Sequence, residues 1–171
     1  MRIPVFVSCP TLLTTSQNAS RELILRELKR QGLEARALGR SDYPTDLPLR
    51  EISVIAKHCS GGVILGFEQF CATAGTWKRG TTEEKAATGE VLVPSAWNHL
   101  EAGILFGLRL PLLVFREKGV TGGIFDTGVS DAFIHPMPVS SMARANKAGL
   151  SEVFRKWQAR VRERYYREDP I

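Results

Sequence analysis

Apolar and polar residues fall into blocks along this chain, and the period changes from block to block. Ile3 to Ser8 is apolar and β-branched, which predicts a first strand. From about Gln17 to Gln31 the apolar positions, Ile24 and Leu28 among them, repeat at helical spacing until Gly32 stops the run. Leu33 to Leu38 alternates apolar and polar, as a less buried strand near a sheet edge does. Gly39 to Leu47, carrying Asp42, Pro44 and Asp46, is a loop. Pro48 opens a second helix with Ile52, Ile55, Ala56 and Cys59 in step, and Gly61-Gly62 breaks it. Val63 to Phe67 is wholly apolar, the pattern of a strand in the middle of a parallel sheet. Leu110 to Phe115 gives a fourth strand and Ala132 to Pro136 a short fifth. Leu150, Phe154, Trp157 and Val161 share one face of a last helix over 150–167.

Strands alternating with helices imply a parallel sheet with helices on both faces. The expected fold is α/β: a flavodoxin-like three-layer sandwich with a five-stranded, mainly parallel sheet in the order 2-1-3-4-5. Residues 1–171 then form one domain. Sheets of this kind bind ligands beyond the carboxyl ends of their strands. One stretch, 68–93, shows no clear period. It holds Gly75, Gly80 and Gly89 and mixed charge, and reads as a long loop, either a flexible flap or a surface insertion.

The third helix is the unusual one. Ser95 is a good N-cap and Gly107 a plausible stop. The segment between them is apolar nearly all the way round, which predicts a buried helix. Glu101 is its sole acidic residue, with Trp97 and Leu105 one turn to either side. A carboxylate in such surroundings is costly unless it is paired, hydrogen-bonded or wet. It is either a rim glutamate tied to an arginine or a site residue. The helix starts on the rim where the strands end, which favours the second.

Composition narrows the partners. The chain has 171 residues, 43% hydrophobic and 24% charged, as expected of a globular domain with a real core. There is no run of 18 apolar residues, and the opening apolar run is too short for a signal peptide. Three scattered cysteines, Cys9, Cys59 and Cys71, point to reduced thiols in a cytoplasm, with no membrane role. His58, His99 and His135 are isolated and no metal-ligand spacing occurs. The net charge of +5 gathers near the C-terminus, where interspersed Glu152, Glu163 and Glu168 make a solvated helix face; nucleic-acid binding is not expected. No G-x-G-x-x-G or Walker A sequence is present.

Four segments carry a resemblance. Val5-Phe-Val-Ser8, Ser60-Gly-Gly-Val-Ile-Leu-Gly66, Trp97-Asn-His-Leu-Glu101 and Leu108-Arg-Leu-Pro-Leu-Leu-Val114 together resemble a bacterial TIR-type domain. That group shares its fold with nucleoside 2-deoxyribosyltransferases. The most specific segment is Trp97 to Glu101, similar to the tryptophan-x-x-x-glutamate of TIR enzymes, whose glutamate is catalytic. The chain departs from the pattern in Cys9-Pro10 after the first strand, in the length of 68–93, and in the loop after the second strand.

The resemblance implies cleavage of an N-glycosidic bond, most often that between nicotinamide and ribose in NAD, by hydrolysis or cyclisation. NAD would be a substrate, with no further cofactor and no metal. Glu101 is the expected catalytic residue, since a carboxylate stabilises the oxocarbenium-like charge that builds on the sugar. Trp97 would pack on the ribose or base, or serve only as a core aromatic, and Asn98 would orient a ribose hydroxyl. Ser8 and Thr11, with Cys9 in the same loop, lie before a helix N-terminus that suits phosphate. Arg40 would assist as a loop cation, and Phe67 and Trp77 would cover a base. The resemblance further implies a role in antiphage defence, switched on by homo-oligomeric or partner-gated assembly. Two alternatives stay open: a nucleoside or nucleotide glycosidase or 2-deoxyribosyltransferase-like enzyme, and a non-catalytic nucleotide-binding or protein-interaction module.

Overall fold

The computed structural model describes residues 2–37 and 47–167. Five strands make the main sheet: β1 (Ile3–Ser8), β2 (Leu33–Arg36), β3 (Gly62–Gly66), and two more introduced here as β8 (Leu112–Arg116) and β9 (Ile134–Pro136). They are hydrogen-bonded in the order β2-β1-β3-β8-β9, every pair parallel. Among these five strands alone this is the order 2-1-3-4-5 expected from the sequence. Gly62 faces Leu112, so β3 and β8 start level, and Phe6 faces Gly62, so β1 starts three residues earlier.

Alternation along β1 divides the core. Ile3, Val5 and Val7 face α1 (Thr15–Arg30) and α4 (Arg144–Tyr166), and join Ile24, Leu28, Phe154 and Trp157. Phe6 faces α2 (Pro48–Lys57) and α3 (Ala96–Gly107), and joins Ile52, Ala56, Ala102 and Leu105. Ser8, two residues beyond Phe6, therefore reaches the α2/α3 side while lying fully buried.

Gly61 and Gly62 do more than end a helix. A Cβ on Gly61 would lie 2.7 Å from Val161 of α4, and one on Gly62 would lie 2.7 Å from Leu105 of α3. Each bare backbone lets one layer of helices seat closely on the sheet. The helices begin and end close to where the pattern puts them, with two differences. α1 starts two residues early because Thr14 and Gln17 form a reciprocal capping box. α4 starts at Arg144, ahead of its apolar stripe, through a turn and a half that is almost wholly exposed.

The stretch 68–93 is not a plain loop. It leaves the rim as β4 (Glu68–Ala72) and returns antiparallel as β7 (Val91–Pro94), with a smaller ribbon of β5 (Thr76–Trp77) and β6 (Lys85–Ala86) at its far end. β7 then feeds directly into the Ser95 cap of α3. Helix α3 also departs from expectation: Trp97, Leu100 and Phe106 are exposed, whereas Asn98, Ala102 and Leu105 are buried. An apolar surround does not by itself decide depth; the sheet takes only the stripe that faces it. Among the described residues no helix is long and apolar enough to cross a membrane.

Candidate active site

A cavity of about 510 Å³ opens at the carboxyl ends of the strands. Three parts of the chain surround it: the loop after β1 (Cys9 to Leu12), the start of α2 (Pro48, Ile52), and the start of α3 with Trp97, Asn98 and Glu101. Gln69 of the ribbon also reaches it. The register of β4 against β7 slips between Glu68 and Phe70, so Gln69 is the extra residue of a bulge. Bulges turn a side chain away from its regular direction.

The polar groups form a directed chain. Ser8 Oγ accepts a 2.7 Å hydrogen bond from Asn98 Nδ2. The Ser8 hydroxyl also stands near enough to Glu101 to draw its pKa down. A serine hydroxyl has one proton to give, and Asn98 occupies its acceptor side, so the proton points at Glu101. Asn98 is 1% exposed, and its Oδ1 has no hydrogen-bond partner. A buried acceptor left open costs about 1–3 kcal/mol, which makes it an atom to be explained.

Glu101 has no cation beside it among the described residues. Among the described residues no lysine or arginine pairs with it, and none lines the cavity. Burial pushes its carboxyl from an ordinary value of 4.5 up to about 7, with only the Ser8 hydrogen bond pulling the other way. Among the described residues, the rim glutamate tied to an arginine does not form. Desolvation without a countercharge makes the ionised form expensive, and a positive charge brought beside it would be strongly favoured.

The expected site residues are only partly brought together. Ser8, Cys9, Thr11, Trp97, Asn98 and Glu101 meet at this cavity. Phe67 does not: it is fully buried among the α1/α4 cluster, so it cannot cover a base. Trp77 does not either. It stands on the far ribbon and lines a second, apolar cavity of about 600 Å³ with His99, Phe106 and Ile124. Arg40, like the rest of its loop up to residue 46, lies outside the described residues. Sequence reasoning missed Gln69 and Pro48. Pro48 had a signal, as the first residue of a helix opening on the rim; Gln69 had none, because a bulge has no local signature.

No family model matches the chain, and no curated protein matches it. The TIR resemblance therefore rests on the segments quoted above.

Proposed function

We propose that this chain is a TIR-like enzyme that cleaves the nicotinamide–ribose bond of NAD. One observation carries the reading: a desolvated carboxyl, with no cation beside it among the described residues, lining a cavity at the carboxyl ends of a parallel sheet. The nicotinamide ring of NAD is cationic, and its departure moves positive charge onto the ribose. A carboxylate held in low dielectric gains most when that charge arrives. The ring leaves with the electron pair of the C1–N bond and becomes neutral nicotinamide. The ribosyl carbon then takes a water oxygen with release of a proton, or a ring nitrogen of the adenine in the cyclising case. Glu101 faces the ribosyl carbon, Trp97 packs on the sugar or base, and Ser8 holds the carboxylate as a positioning residue.

The phosphates would meet the N-terminal ends of α2 and α3, which border the cavity at Pro48 and Ser95. The lack of a lysine or arginine among the described lining residues favours a second reading, a glycosidase acting on a nucleoside without phosphates. The resemblance also supports assembly-gated activity in antiphage defence, so the protein is assayed concentrated. Incubation with NAD, nucleoside monophosphates and deoxynucleosides, with products resolved by chromatography, decides. Free nicotinamide that disappears with Glu101→Ala supports the NAD reading. Free nucleobase without nicotinamide supports the second. No turnover by concentrated protein overturns both and leaves a binding module.

A further inference from the structure

The unpartnered atom at the cavity is Asn98 Oδ1, and its surroundings say what it accepts. Asn98 and Glu101 lie three apart on α3 and line the same cavity, with Ser8 Oγ bonded to the first and beside the second, so the amide and the carboxyl are neighbours. The Asn98 amide cannot turn over without losing its bond to Ser8. Were it flipped, Oδ1 would compete for the one Ser8 proton that Glu101 uses. Oδ1 is therefore fixed as an acceptor, buried and open, in a residue that lines the cavity. A donor carried by a ligand would complete it.

We infer that Asn98 Oδ1 receives the 2-hydroxyl of a pentose whose anomeric carbon faces Glu101, so that the site selects ribosyl over 2-deoxyribosyl ligands. The inference rests on the glycosidic reading above for the placement of the anomeric carbon. Carbon 2 is the neighbour of that carbon, and its hydroxyl is the nearest donor a sugar can offer to a group beside the carboxylate. A site built around a hydroxyl rejects the analogue that lacks it far more strongly than an apolar pocket rejects an added one. The reason is that the protein atom is left buried and unpaired. This selectivity runs against the 2-deoxyribosyltransferase-like alternative, whose substrates have no such hydroxyl.

The test compares adenosine with 2-deoxyadenosine, and NAD with its analogue deoxygenated at the 2-position of the nicotinamide ribose. Binding is followed by calorimetry and turnover by chromatography. The wild-type protein should favour each ribosyl member by about 100-fold or more. Asn98→Ala should bring each pair to within a few-fold. Equal handling of both members by the wild-type protein, or a preference for the deoxy member, overturns the inference, and this arm holds even if Asn98→Ala does not fold. Nicotinamide release without sugar selectivity defeats the inference and leaves the NAD reading. Asn98-dependent ribosyl preference without nicotinamide release does the reverse. Binding of neither pair overturns both.

Discussion

Two glutamates stand at the same rim of the sheet and have opposite surroundings. Glu117 follows β8 directly, and its Oε2 accepts from the backbone N–H of Glu68 at 2.8 Å and from Gln17 Nε2 at 3.0 Å. It fastens the root of the ribbon to α1. Glu101, on α3, has among the described residues the Ser8 hydroxyl alone and no cation. The first carboxylate spends its acceptor capacity inside the fold. The second keeps most of it for something that is not part of the fold. Rim position is common to both, so it does not separate a structural acid from a candidate catalytic one; the count of internal donors does.

The sharpest way to break the comparison is to neutralise each acid. Glu101→Gln keeps shape and removes charge, and should lower nicotinamide release by about 1000-fold or more while the fold persists. Chromatography checks the first and circular dichroism the second. Undiminished release by that variant would make Glu101 a bystander.

Stability should respond with a definite sign. The folded-state value of Glu101 is raised above 4.5 to about 7, so the folded protein holds this proton more tightly than the unfolded chain. Its contribution is most favourable below the ordinary value and is lost as pH rises through about 7. Glu101→Gln does not lose it, so its stability relative to wild type should gain about 3 kcal/mol between roughly pH 4 and pH 8.5 in urea denaturation. Glu117→Ala should act in the opposite direction. It leaves two donors without their acceptor and should cost about 1–3 kcal/mol at neutral pH, with faster amide exchange at Glu68.

The smallest effect sharpens the role of Ser8. For the free enzyme, the acidic limb of kcat/KM should be centred near the Glu101 value of about 7. Ser8 lowers that value, so Ser8→Ala should move the limb upward. A limb that stays in place would mean that the hydroxyl does not reach the reacting carboxylate.

Much of the sheet could be read from residue pattern, because its strands are short apolar runs closed by glycine or proline. Val63 to Phe67 and the alternation from Leu33 are examples, and together they yielded the strand order. The ribbon could not be read. Its strands are two to five residues long and mostly exposed, and they pair with partners 8 to 26 positions away, so neither period nor composition marks them. Glu101 stood out because an acid is rare in an apolar helix. Phe67 was misplaced for a different reason: as the residue after a buried strand it continues the alternation inward, on the face away from Glu101. Asn98 was legible as a polar residue but not as one of the most buried on its helix. Its depth depends on Ser8, ninety residues earlier in the chain.

A final consequence follows from Gly62. Leu105 sits against that bare backbone, one turn beyond Glu101 on the same rigid helix. A methyl group there would meet Leu105 at 2.7 Å and lift the helix outward. The carboxylate would then move toward water, ionise more readily and lose the advantage of its dry surroundings. The hydration of the acid is in this way governed by a hydrogen atom on the opposite end of the sheet.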